Sequence, residues 1–293
     1  MKRRFILAIM IIVLFTRVQV GTDLSLSYRS LMSVNEVAQA ATEIKVEDEK
    51  ELINAIYNAL LSREEAITIK YTLPGYKLDF NKLFDKVLSI DKKKTAKDGD
   101  YLRFSLKSWN AQGKTVGSNT TLSIRFTYKT TLEEEQAVDK KIKSVLKTLK
   151  LEDATDYKKV KKIHDYIINR VSYDNKLTKS SAYNALIDKS AVCEGYSMLA
   201  YRMFTEIGLE SRIISGVGNG GPHAWNIVKV DGKWYNIDLT WDDPISSDGK
   251  PMLVYDFFLK STKDFKGHKR DAEYNTNEFV KAYPISKTSY EVE

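Results

Sequence analysis

The chain holds one cysteine and three histidines in 293 residues. A single cysteine cannot close an intramolecular disulfide, so the core alone must hold the fold. No dense arginine cluster is present and the formal net charge is +7, which gives nucleic-acid binding little support. Long apolar runs are scarce too: the run over residues 5–15 is too short for a comfortable membrane span. What remains is an ordinary globular composition, 43% hydrophobic and 11% aromatic, long enough for one large domain or two small ones.

The N-terminus carries an address. Lys2-Arg3-Arg4 precede the apolar run, and Ala38-Gln39-Ala40 offers an A-x-A cleavage site before Ala41. Residues 1–40 are therefore expected to be a signal peptide with a long c-region, and the protein to be secreted or held at the cell surface. An uncleaved anchor is the alternative. Without those residues, 41 basic groups face 37 acidic ones, a charge of +4 that suits solubility and at most a weak attraction to an anionic cell wall.

Residues 41–130 are expected to form a small α+β module. Leu52, Ile53, Ile56, Leu60 and Leu61 predict a helix over residues 48–61, and Phe80, Leu83, Phe84, Val87 and Leu88 a second one. Residues 66–71 read as a strand, Leu73-Pro74-Gly75 as a turn, and the lysine run 92–99 as a solvated loop. Residues 101–107 and 121–128 alternate in period two and predict paired strands joined by a polar connection over 110–119. The module shows no catalytic constellation. Residues 131–293 follow as a second domain, opening with an N-cap and acidic first turn at Thr130-Thr131-Leu132-Glu133-Glu134-Glu135. A further amphipathic helix is predicted over residues 156–169.

Chemistry concentrates in residues 190–244. Cys193 precedes Leu199, Ala200, Met203, Phe204 and Ile207 at helical intervals, with Gly208 as a stop. That places Cys193 near a helix N-terminus, where unpaired N–H groups and the helix dipole favour negative charge and offer an oxyanion site. Residues 212–217 predict a strand and 218–222 a loop; 224–230 and 233–239 flank Asp231-Gly232, a strong hairpin signal. Pairing Val230 with Lys233 puts His223 and Asp238 on one face as diagonal neighbours, at roughly 7–8 Å between Cα atoms. A one-residue slip would separate them. Thiol, imidazole and carboxylate in this order are the parts of an acyl-transfer site. The same parity puts Trp225 beside His223, where it is expected to line a substrate channel. Tyr183 is a candidate for the second oxyanion donor.

The motifs Cys193-Glu194-Gly195-Tyr196, His223-Ala224-Trp225-Asn226 and Asp231-Gly232-Lys233-Trp234-Tyr235-Asn236-Ile237-Asp238 resemble the transglutaminase-like superfamily, its bacterial exported branch above all. Ile163-His164-Asp165-Tyr166-Ile167, Val171-Ser172-Tyr173-Asp174 and Ser181-Ala182-Tyr183-Asn184-Ala185-Leu186 are also similar to that family's sequences, as is an aromatic strand over residues 255–259. The resemblance covers roughly the second half of the chain. It implies an α+β, papain-like core in which the nucleophile helix packs on an antiparallel sheet. It also implies Cys193 as nucleophile, His223 as base and acid, and Asp238 as the orienting group. The implied reaction is transfer of a glutamine-type acyl group to an amine or to water, on protein or peptide substrates such as cell-wall or host-surface proteins. No organic cofactor is implied.

Rival residues and readings remain. His164 is expected at a helix surface or junction and His268 in an exposed or loop-structuring role. Asp242 and Asp243 rank below Asp238, and with Asp248 they match no EF-hand spacing. No metal site is expected. A cysteine peptidase or amidase would use the same triad, and a non-enzymatic surface binding protein could retain the fold.

Overall fold

The computed structural model describes residues 42–72, 78–90, 99–244 and 252–291. The expected signal peptide, the turn at residues 73–75, and residues 92–98 of the lysine run lie outside them. The chain divides into two compact units: the described residues through Val87 with Leu106–Tyr128, and Leu88–Ser105 with the chain from Lys129 onward. Among the described residues no helix is long and apolar enough to cross a membrane.

The first unit is a four-stranded sheet with helices. Its strands are β1 (Thr42–Val46), β2 (Ala66–Tyr71), β3 (Leu106–Val116) and β4 (Asn119–Tyr128), in the order β1-β2-β4-β3. Helix α1 (Glu49–Leu61) starts where the Asp48 side chain accepts from the Glu51 N–H, and it buries Leu52, Ile56 and Leu60. Helix α2 (Phe80–Leu88) adds Leu83 and Phe84, the latter stacked on Trp109 at 3.8 Å. The predicted polar connection over 110–119 is a correction: β3 and β4 run through it and turn at Gly117, whose φ is +63°. Strand β3 lies at the edge of the sheet with most side chains exposed, so it lacks the apolar alternation that marks a strand.

Residues 101–107 correct a second expectation. Residues 99–105 form helix α3 (Gly99–Ser105), which belongs to the second unit. Tertiary contact decides this, because buried Asp100 accepts from Arg212 Nε at 2.5 Å, Arg212 Nη2 at 2.7 Å and the Ile213 N–H at 3.1 Å. So short an apolar pattern fits either period.

Helix α4 (Leu132–Leu149) opens with a capping box between Thr131 and Glu134, and α5 (Asp156–Ile168) is capped by Thr155. A short parallel pair, β5 (Ser172–Tyr173) with β6 (Ser190–Ala191), brackets a π-helical turn over Asn184–Asp188. Helix α6 (Cys193–Glu206) follows. The second sheet contains β7 (Ser211–Gly218), β8 (Gly221–Val230), β9 (Lys233–Ile237) and β10 (His268–Arg270), in the order β10-β7-β8-β9 and antiparallel throughout.

Alternation along these strands splits the core. Ile213, Ala224, Val228 and Val230 share a cluster with Leu199, Met203 and Phe204 of α6, whereas Ile214, Trp225, Ile227 and Trp234 join Phe265 and Tyr274. A helix thus packs on an antiparallel sheet in an α+β unit, as expected. The Asp231-Gly232 turn has positive φ at both residues, +49° and +79°, and Val230 pairs with Lys233 as predicted. Asn219-Gly220, at +46° and +85°, makes a second such turn, so the five-residue loop expected over 218–222 shrinks to two residues. Residues 255–259 are not the predicted aromatic strand but an irregular turn with Leu259 at φ +49°. The short tail helix α7 (Asn277–Ala282) is capped by Thr276.

Candidate active site

Cys193 is the first residue of α6, and its N-cap, Val192, makes no side-chain cap bond. The helix start is held from outside. Val192 N–H donates to the Lys179 carbonyl at 2.8 Å, and Asp174 N–H to the Ala191 carbonyl at 3.0 Å. The Asp174 carboxylate in turn accepts from the N–H groups of Lys176, Thr178 and Lys179. Cys193 itself is half-buried.

His223 lies on β8 opposite Gly216, and Asp238 follows the last residue of β9. The predicted meeting occurs: His223 Nε2 is 2.7 Å from Asp238 Oδ2, with the two side chains 7% and 1% exposed. Asp238 Oδ1 accepts from the N–H groups of Thr240 at 2.9 Å and Trp241 at 3.3 Å. With Nε2 committed to Asp238, Nδ1 is the imidazole atom left for the thiol. Burial alone would lower the His223 imidazolium. The charge and hydrogen bond of Asp238, then those of Cys193, reverse this and raise its pKa to about 10. For Asp238 burial pushes upward, and the two histidines outweigh it and hold the carboxylate low. Such an arrangement can take a proton from a thiol, keep it on an imidazolium, and return it to a leaving group.

Other residues depart from their predicted places. His268 is not in an exposed loop: its ring is 2% exposed, and its Nε2 lies 2.9 Å from the same Asp238 Oδ2. His164 is not at a helix surface but fully buried, with Nδ1 3.1 Å from Asp165 and Nε2 3.1 Å from Asp242. Burial there opposes protonation, and the two carboxylates overcome it and raise the His164 pKa. Asp242 also accepts from the Phe257 N–H at 2.8 Å, and Asp243 from the Tyr196 hydroxyl at 2.6 Å. Both carboxylates stay inside, tying the chain after Asp238 to α5 and α6.

Trp225, expected to line a channel, is 1% exposed and packs in the second core beside Phe265 and His268. Among the described residues its indole N–H finds no hydrogen-bond partner. Trp241 takes the accessible place instead, 5.1 Å from the His223 ring and lining an open groove of about 510 Å³ with Asn219, Phe257 and Lys266. Tyr183 precedes the π-helical turn and packs against the main core. Tyr173 lies closer to the chemistry: burial, then the charges of Cys193, Asp174 and Asp238, push its hydroxyl to about 12. The parallel pairing of Tyr173 with Ala191, two residues before Cys193, puts it there. A ring nitrogen from each of His223 and His268 and an Asp238 oxygen lie within 4.8 Å of one another, a convergence explained by the two hydrogen bonds through Asp238.

The family model of the Transglutaminase-like superfamily matches residues 143–239, so this segment is similar to the domains of that family. The match spans α5, α6, Cys193, His223 and Asp238. Kyphoscoliosis peptidase from Homo sapiens is 27% identical over an alignment of 105 positions that covers 30% of this chain and 16% of that protein. The Mus musculus protein of the same name is 26% identical over the same shares. This chain therefore covers less than a fifth of the length of these curated relatives. Among solved structures, one described as a crystal structure of a TGase is 20% identical with a TM-score of 0.35, covering 68% of this chain and 59% of its own.

Proposed function

We propose that the protein is a secreted or cell-surface acyltransferase of transglutaminase type, with Cys193, His223 and Asp238 as its catalytic triad. The observation that carries this reading is the 2.7 Å bond from His223 to Asp238, with Cys193 acting on the same imidazole. His223 Nδ1 takes the Cys193 proton, and the sulfur attacks a glutamine-type carboxamide carbon. The Cys193 N–H at the start of α6 receives the oxyanion. Tyr173, whose hydroxyl keeps its proton at neutral pH, replaces Tyr183 as the second donor. The His223 imidazolium then protonates the departing nitrogen, releasing ammonia and leaving a thioester on Cys193. An amine attacks the thioester, His223 accepts a proton from it, and an isopeptide bond forms as the thiol is released. Water in place of the amine gives deamidation.

Donor and acceptor are protein or peptide groups, with cell-wall and host-surface proteins as natural substrates to screen, and residues 1–40 direct export. A second reading, peptide or amide hydrolysis by the same triad, draws on the peptidase name of the human and mouse relatives. Incorporation of a fluorescent primary amine into a glutamine-rich protein separates the two, with ammonia and peptide fragments followed in parallel. Amine uptake that vanishes in Cys193→Ala is the expected result. Fragments or ammonia without uptake would move the assignment to a hydrolase. If all three are silent and Cys193 resists iodoacetamide, the protein is a binding protein.

A further inference from the structure

The residues around His268 are polar and charged, yet its ring lies directly behind the triad. The approach of β10 to β7 puts it there, with His268 paired opposite Gly218 and Arg270 opposite Gly216. A Cβ on Gly216 would fall 2.1 Å from the Lys269 carbonyl oxygen, and one on Gly218 would fall 2.9 Å from the His223 ring. Only glycine at these two positions lets the edge strand and the catalytic imidazole come this close.

The ring is then boxed in. Phe265 stacks on it at 3.9 Å, Trp241 lies 4.1 Å away, and Trp225 meets it edge-on at 5.0 Å. Its Nδ1 lies 3.1 Å from the Lys266 carbonyl oxygen, and its Nε2 faces Asp238 Oδ2. The carboxylate therefore has four donors around it: Thr240 and Trp241 N–H on Oδ1, His223 and His268 on Oδ2. That fills the acceptor capacity of a carboxylate.

We propose that His268 is a positioning residue for the Cys193 site, donating its Nε2–H to Asp238 so that the carboxylate is held where it orients His223. The terminal torsion of an aspartate is broad, and a donor on Oδ2 that is itself fixed by packing narrows it further than the two backbone donors on Oδ1 do alone. The His268 bond does this from inside an aromatic box that admits no easy substitute. At 2% exposure the ring does not reach substrate, so its effect falls on kcat and on thiol reactivity rather than on KM. The inference rests on the proposed triad.

The test uses the full chain and reads iodoacetamide alkylation at Cys193 together with steady-state amine incorporation. His268→Phe keeps the ring stack and deletes the donor, and His268→Gln places an amide N–H near the position of Nε2. The expected result for His268→Phe is a fall of about 10- to 100-fold in alkylation rate and kcat with KM within about threefold, by analogy with the loss of a hydrogen bond behind a metal ligand. His268→Gln should recover most of both. If His268→Phe does not fold, His268→Met serves as the donor-free variant. Wild-type rates in a folded donor-free variant would overturn the role of His268. A wild-type Cys193 no more reactive than a free thiol would instead overturn the triad beneath it.

Discussion

Replacing Asp238 by asparagine keeps the side chain's size and deletes the charge on which His223 depends. Burial pulls the imidazolium down, and Asp238 is the larger of the two influences that lift it to about 10. In Asp238→Asn the burial effect is left largely unopposed, so His223 is neutral at pH 7. The amide is also mismatched. If its oxygen faces the two imidazoles, its NH2 meets the N–H groups of Thr240 and Trp241, donor against donor. Leaving buried donors unpaired costs about 1–3 kcal/mol.

The pH dependence follows from the direction of the His223 shift. A histidine raised in the folded state stabilises fully below its free value of about 6.5, and that contribution fades as pH climbs toward 10. Each tenfold step in proton affinity is worth about 1.4 kcal/mol, which puts the contribution on the order of 5 kcal/mol at most. Wild-type stability should therefore fall between pH 6.5 and 10, measured as the urea midpoint across that range, while Asp238→Asn should keep only the shallower slope left by other raised groups such as His164. In parallel, kcat should drop by about 10³- to 10⁴-fold, the scale seen when a triad aspartate becomes asparagine. A variant that keeps both the pH slope and the wild-type alkylation rate of Cys193 would refute the reasoning.

Away from the triad, Asp100→Asn strips Arg212 of a two-toothed buried carboxylate and weakens the acceptor for the Ile213 N–H, so unfolding free energy should fall by about 3 kcal/mol with Cys193 alkylation unchanged. Burial raises the Asp243 carboxyl to about 6, so its ionisation above that pH opposes folding. Asp243→Asn keeps an acceptor for Tyr196 and should raise stability by on the order of 1–2 kcal/mol at pH 7.5, a gain that disappears by pH 4 in denaturant titrations. Gly216→Ala drives a methyl group into the Lys269 carbonyl and should push β10 away, reproducing the alkylation defect of His268→Phe with no change to His268 itself.

The parts of the site written in local signals were legible in the sequence. A period of 3.6 after Cys193 and a stop at Gly208 mark α6, and Asp231-Gly232 fixes the register that brings His223 to Asp238. The parts made by distant segments were not. Strand β10 is three residues long, too short for alternation to show, although Lys269 points outward while His268 and Arg270 turn inward. Glycine and phenylalanine beside one of only three histidines were the available clue. Of the two places expected for His164, a helix surface or a junction, the junction is the one formed, because its partner Asp242 comes from 78 residues away. Helix α3 was misread because seven residues carry too little periodicity, and the Asp100 pairing with Arg212 spans 112 positions. Trp225 was placed on the correct face, but the segment containing Phe265 and His268 covers that face.

Intact-protein mass spectrometry with a glutamine donor peptide and no added amine tests the central claim most directly. The account expects a species heavier by the peptide minus one ammonia, mapped to Cys193, stable on acid quench and discharged by a primary amine. Cys193→Ala should show none of it. A chain that alkylates readily at Cys193, yet shows no such adduct across glutamine peptides while releasing cleaved fragments, would contradict acyl transfer to amines and leave the triad to a hydrolase.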